Sequence, residues 1–237
     1  MSELIDVYEW LGDKLKHIGI MDKIEAEHKG IWHKISRVQP IKKINDEYYV
    51  ILQRRGRHKR IGALNFAVAV SEHIKTGESD IDASIRGVKE ELGINIGMDE
   101  LEEAYSMNFE FDKGNIKERT YCTTHMLECS FELKDFILQK KEVEGVYMVP
   151  VKDMIDMFEG KLDKVEVTGI GLNQNETDYI YDVTTIDKNS FSNYNFYSED
   201  FLKLKEYIEN KSLDNKKGQV EYGDSVADDI NFNQEID

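Results

Sequence analysis

The chain has 237 residues, 40% of them hydrophobic, enough for one large domain with a sizeable core. With 31 basic and 47 acidic residues its formal net charge is −16, so nucleic acid and anionic membrane repel it unless a local basic patch reverses the field. No apolar run approaches the ~18 residues that span a bilayer, and no basic segment followed by an apolar stretch marks a secretion signal. Cys122 and Cys129 lie seven apart, so on one strand they face opposite sides and do not pair easily. That suits a reducing cytosol, and a cytoplasmic location is expected. No Cys/His cluster has zinc spacing.

In chain order, Glu3–Glu9 reads as a strand that soon meets a turn signal at Gly12-Asp13. Met21–Gly30 is polar, a short helix or loop. Ile31–Lys43 and Glu47–Arg54 read as strands joined near Asn45-Asp46. Leu64–Val70 is almost wholly apolar, the pattern of a buried strand. Glu103–Phe111, Arg119–Phe131 and Gly145–Val149 are further strands, and Pro150–Phe158 and Ser198–Asn210 are helical, the latter with Phe201, Leu204 and Ile208 on one face. Gly169–Asn195 is polar and ambiguous: a cover for a pocket, a pairing segment or an insertion. From Asp214 to Asp237, seven acids and two lysines give a net of −5, which leaves −11 on the rest. So polar a tail is expected to be disordered.

The stretch "GESDIDASIRGVKEELGI", Gly77–Ile94, carries the chemistry. A helix over Asp80–Leu92 places Ile81, Ile85, Val88 and Leu92 on one buried stripe. Ser79 or Asp80 caps its start, and Gly93 takes the left-handed conformation past its end. The other side carries Arg86, Glu90 and Glu91, with Glu78 in the loop before. Such carboxylates either lie solvated on a helix back or hold Mg²⁺ through oxygen ligands alongside a substrate phosphate. A bound ion neutralises phosphate charge and activates water.

The spacing resembles the Nudix box: Gly, five residues, Glu, seven residues, Arg-Glu, an apolar residue, any residue, Glu-Glu, any residue, Gly, an apolar residue. Glu78, Arg86, Val88, Glu90, Glu91, Gly93 and Ile94 fit as spaced. The strands before the box, "HKGIWHKISRVQPI" and "YYVILQRRGRHK", and the later "KEVEGVYMVPVKDMIDMF" are similar to the Nudix branch related to isopentenyl-diphosphate isomerase. Residues 3–160 carry the resemblance. Two positions depart. Glu72 stands where the box has its first glycine, whose backbone carbonyl can approach the metal. Gly87 stands where it has the first glutamate of the arginine-glutamate pair, a metal ligand or base in many members. A helix-interior glycine costs ~1 kcal/mol relative to alanine, so the change brings no stability.

The resemblance implies an α/β fold, a Nudix-type α/β/α sandwich with a mixed sheet and an N-terminal β-hairpin extension. Residues 1–30 would be the extension, 31–212 the Nudix domain with its C-terminal helix, and 213–237 the acidic tail. It implies Mg²⁺, or Mn²⁺, held by Glu78, Glu90 and Glu91, with Arg86 orienting the acids. Glu118 is the substitute ligand or base for the acid missing at 87, unless it is a solvated strand start. Glu142 and Glu144 are a second choice. The implied substrate is a small nucleoside-diphosphate-linked molecule or similar, hydrolysed at its diphosphate bond. The basic run Gln53–Arg60 offers Arg54, Arg55 and Arg57 to phosphate, or is a plain solvated turn. His28 and His33 are similar in place to the isomerase's metal histidines, but Val70 and Ser71 stand where that enzyme needs a cysteine, so isomerase chemistry is disfavoured. His58, His73 and His125 carry no signal of their own, and Trp32 and Tyr48 are core residues or base-stacking ones. The rival reading, favoured by Gly87, is a Nudix module that keeps the fold and binds a ligand or regulates without catalysis. Oligomeric state stays open, a homodimer included.

Overall fold

The structure, a computed structural model, describes residues 3–224, with the backbone alone for residues 194 and 213–224. Strands β1 (Leu4–Leu11) and β2 (Lys14–Asp22) form an antiparallel hairpin whose turn passes through Gly12 at φ +65°. Helix α1 (Lys23–Lys29) follows. Its cap, Asp22, accepts from the N–H groups of Ile24 and Glu25. The hairpin joins the main sheet where Val7 and Tyr8 pair with His33 and Trp32.

Strand β3 (Trp32–Ile44) is the hub. Its first half lies between β6 (Val70–His73), antiparallel, and β8 (Ile116–Glu128), parallel. Its end turns through Asn45 and Asp46, both at positive φ, into β4 (Glu47–Arg55). Asx residues tolerate that conformation, which tight hairpins need. The apolar run expected as one strand over Leu64–Val70 is instead two, because it changes partner at Ala69: β5 (Phe66–Val68) pairs with β4, and β6 pairs with β3. Strand β7 (Leu101–Lys113) pairs with β8, with a bulge between Glu103 and Tyr105. Strand β9 (Val143–Pro150) lies antiparallel to β4 and is followed by β10 (Val165–Leu172) and β11 (Tyr179–Ile186). The ambiguous segment Gly169–Asn195 therefore supplies the end of β10 and all of β11, the far edge of the sheet.

Period-two alternation divides the sheet between two cores. Val50, Leu52, Tyr147 and Val149 face α3 (Val151–Glu159) and α4 (Tyr194–Asp224), where Met154, Phe158, Phe201, Leu204 and Ile208 are buried. Ile51, Val146 and Val38 point the other way, onto Val88, Leu92 and Leu138 below α2 (Asp80–Gly87). The result is a mixed sheet with helices on both faces, an α/β/α sandwich. The backbone of α4 runs on to Asp224, into the stretch read as a disordered tail, and residues 225–237 lie outside the described residues. No helix among the described residues is long and apolar enough to cross a membrane.

One buried ion pair ties α4 to the hub strand. The Arg37 guanidinium donates to both carboxylate oxygens of Asp200 at 2.8 and 2.5 Å, and the Tyr105 hydroxyl donates to Asp200 at 3.0 Å. Both charged residues are almost fully buried. Removing one partner strands the other charge, which costs about 3–5 kcal/mol. Asp200→Ala is expected to lower unfolding stability by that amount in urea titration, whereas Glu206→Ala on the exposed side of α4 stays within about 0.5 kcal/mol of the parent.

Candidate active site

The element expected as one α-helix over Asp80–Leu92 is α-helical to Gly87 and then makes a single π-helical turn over Val88–Leu92. Ser79 caps the start, its hydroxyl accepting from the Asp82 N–H at 3.1 Å. Of the two adjacent acids on the π turn, Glu91 is buried and the Glu90 side chain is half exposed. Such turns recur at functional sites because they re-aim side chains. Gly93 closes the turn at φ +70°; a Cβ there would lie 2.5 Å from the Cβ of Ile137. That close approach lets the Ile137 and Gln139 N–H groups donate to the Leu92 and Glu91 carbonyls at 2.9 and 3.0 Å. The terminal carbonyls are thereby satisfied and the position of Glu91 is fixed.

Arg86 organises the acids. Its Nε and Nη2 donate to the two oxygens of Glu78 at 2.8 and 3.0 Å, its Nη1 donates to Glu72 at 2.7 Å, and Nη2 also reaches the His73 carbonyl at 3.0 Å. Glu90 stands farther off, 3.7 Å from Nη1. Glu78 additionally accepts from the Lys75 N–H. Burial works to raise the Glu78 carboxyl, and the hydrogen bonds from Arg86 and Lys75 outweigh it and hold the group below the usual range. Glu78 is thus the arginine's partner, with both oxygens engaged.

Glu91 is in the opposite condition. Burial, reinforced by the neighbouring Glu72 carboxylate, pushes it up to about 8, against the pull of Lys59 and a hydrogen bond from Gln53. The Gln53 Nε2 donates to it at 3.0 Å, while the Gln53 Oε1 is buried without a partner. Two carboxylates side by side with an unsatisfied amide oxygen is a donor set that fits a hard divalent cation.

Glu91 and Gln53 line a cavity of about 320 Å³ that also receives Lys23, Arg55, Lys59 and Arg60. Of the arginines expected to meet phosphate, Arg55 lines the cavity, Arg54 donates to the Leu64 carbonyl, and Arg57 is engaged by Glu144 and Glu176. Glu142 pairs with Lys59. His28 lies at the exposed end of α1, and His58 is exposed near Glu176.

Glu118 lines the same cavity from β8 and meets His33 Nε2 at 3.1 Å. His33 Nδ1 lies 2.9 Å from the Ile31 carbonyl, an acceptor, so Nδ1 carries a hydrogen and donates to it. The His73 ring stacks on His33, with centroids 5.1 Å apart. Burial, with help from nearby cations, holds His73 well below the usual histidine range, and its Nε2 has no hydrogen-bond partner. His33, His73 and Glu118 thus offer three ligand atoms within 4.8 Å of one another, as do Asp80, Glu103 and His125 under α2.

Sequence reading assigns no side-chain role at the site to Glu72, Gln53 or His73. The signal for Glu72 was present, since the two departures from the box are opposite in kind: an acid gained at 72 and one lost at 87.

No family model matches the chain. An uncharacterised Nudix hydrolase of Clostridium acetobutylicum is 28% identical over 173 residues, 73% of this chain and 82% of that protein. Among solved structures, DR0079 of Deinococcus radiodurans covers 65% of this chain and 86% of its own at 15% identity and TM-score 0.48. The Nudix domain of Shewanella oneidensis NrtR, crystallised with ADP ribose, covers 57% and 88% at 13% identity and TM-score 0.42.

The raised Glu91 carboxyl sets the pH response of the metal-free protein. The folded chain keeps this proton to about 8 while the unfolded chain releases it near 4.5, so stability falls as pH rises between those values. In chelator, the melting temperature of the parent is expected to drop from pH 5 to pH 8 relative to that of Glu91→Gln, which lacks the ionisable group. Equal pH slopes in the two proteins would contradict this account.

Proposed function

We propose that this chain, which belongs to the Nudix superfamily and is a hydrolase, cleaves the diphosphate bond of a small nucleoside-diphosphate-linked substrate, or one like it, with Mg²⁺ or Mn²⁺. The observation that carries the reading is the cavity itself. It joins the carboxylates Glu27, Glu91 and Glu118 to Lys23, Arg55, Lys59 and Arg60, with Arg60 held by Glu27 and Lys59 by Glu142, within a strongly acidic chain. Such a pocket attracts an anion whose charge a metal shares, while the rest of the surface repels it.

In this mechanism Glu91 would hold the cation, with Glu90 at the exposed edge of the same turn. The bound cation would neutralise diphosphate oxygens and lower the pKa of a coordinated water. Glu78 is not asked to ligate directly. It holds Arg86, and Arg86 holds the acids in register through fork-shaped, charge-assisted bonds. Arg55 and the lysines bind the phosphate oxygens. Glu118, 3.1 Å from His33 Nε2, would take the proton of the attacking water as the new P–O bond forms and the bridging P–O bond breaks, and would then release it to solvent. The carboxylate and the imidazole remain in place for the next turnover. Location in the cytoplasm is part of the same reading, because Cys122 and Cys129 are both free and buried.

Incubation with nucleotide sugars, dinucleoside polyphosphates and nucleoside triphosphates in Mg²⁺ or Mn²⁺, with products resolved by phosphorus NMR, tests the reading. Cleavage at a diphosphate linkage is expected, and Glu91→Gln and Glu118→Gln should each lower kcat by about 10²-fold or more. Tight binding of a diphosphate ligand with no turnover in either metal would favour a binding module instead.

A further inference from the structure

We infer that Glu72, on β6, supplies one carboxylate of a divalent-cation site whose other oxygens come from Glu91 and the Gln53 side-chain amide, and that Gly87 exists to let it in. The inference rests on the reading of the chain as a cation-dependent hydrolase and assigns the site's ligands.

The first observation is steric. A Cβ at position 87 would lie 2.5 Å from Cγ of Glu72 and 2.5 Å from Cγ1 of Val70, closer than atoms can approach. Both contacts are to side chains of β6, so Glu72 crosses the helix at the height of residue 87. Gly87 itself has ordinary helical angles, φ −62° and ψ −44°. Its backbone therefore does not need glycine, and the helix would be better formed without it. What position 87 requires is the absence of a side chain.

The second observation is where the Glu72 carboxylate goes. One oxygen accepts from Arg86 at 2.7 Å, and the side chain lies over position 87, one helical turn before Glu91. Like charges held together in a largely buried place are unfavourable unless something positive comes between them. Arg86 faces Glu72 from the Glu78 side, and its hydrogen bonds go to Glu78, Glu72 and the His73 carbonyl. The third observation is independent of the acids. Gln53 is almost fully buried, lines the cavity together with Glu91, and leaves its Oε1 without a hydrogen-bond donor. An orphaned amide oxygen beside two carboxylates is a set of acceptors lacking a cation, and oxygen-only coordination suits Mg²⁺ and Mn²⁺.

Together these make the two departures from the box pattern one event. The acid lost from the helix is replaced by an acid from the strand beneath it, reaching the same space from the other side.

Mn²⁺ binding, read by electron paramagnetic resonance of the free ion, tests this without reference to activity. Each titration is repeated with Glu118→Gln, which removes the neighbouring histidine–glutamate cluster from the count. Glu72→Gln is expected to weaken Mn²⁺ binding at least tenfold while the metal-free protein keeps its fold by circular dichroism. The double variant Glu72→Gly with Gly87→Glu returns the acid from the helix side and should bind Mn²⁺ within about threefold of the parent. Parent-like binding by Glu72→Gln overturns the assignment, and so does a double variant as weak as Glu72→Gly alone. Failure to hydrolyse any diphosphate, with this binding pattern intact, would sink the hydrolase reading and leave the cation site standing.

Discussion

Everything at the site hangs on the Arg86 guanidinium. It is one planar group with fixed donor directions, and it reaches the end of β6, the loop before α2 and the helix itself at once. Two carboxylates and a backbone carbonyl are its acceptors, so three separately folded segments meet at a single point. A lysine would offer the charge without the fork, and the segments would lose their mutual register. The arrangement also separates the acids by duty: Glu78 is saturated by the arginine, whereas Glu91, one turn on, is left with only Gln53 and an acidic neighbour.

The sheet explains why these groups face a cavity at all. Strand β3 carries His33 and Arg37 between β6 and β8, which bring Glu72, His73 and Glu118 alongside. Strand β4 adds Gln53 and Arg55, and alternation sends Ile51 and Leu52 to opposite cores while the strand's polar end opens on the pocket. The far wall comes from α4 through Phe196 and Tyr197. The buried Arg37–Asp200 pair holds that wall against the hub.

Local chemistry was legible in the sequence where it is governed by near neighbours. The apolar stripe, the Ser79 cap, the Gly93 stop and the Asn45-Asp46 turn were all readable, because each depends on residues within a few positions. The α/β class was legible in the succession of strand and helix patterns. What escaped depends on contacts between distant residues. Position 87 reads as a loss until Cγ of Glu72 is seen above it. His73 looks like any strand-end histidine until the sheet stacks it on His33. The split at Ala69 follows from a change of partner strand, which no window of seven residues contains. The segment Gly169–Asn195 is polar because β11 is an edge strand with an exposed face, as Tyr181 shows, and such strands lack the alternation that marks a buried one.

The parallel pairing of β3 with β8 has a temporal consequence. His33 and Thr120 are neighbours in space, so the central sheet closes only after β8 has left the ribosome, and parallel crossovers of that span are slow to form. The hub strand must wait still longer for Asp200 to neutralise Arg37, since α4 is the last described element. During synthesis the acid-rich helix and the basic strand end are therefore both made long before the wall that encloses them. A nascent chain stalled before residue 200 would carry the ingredients of the pocket without its enclosure.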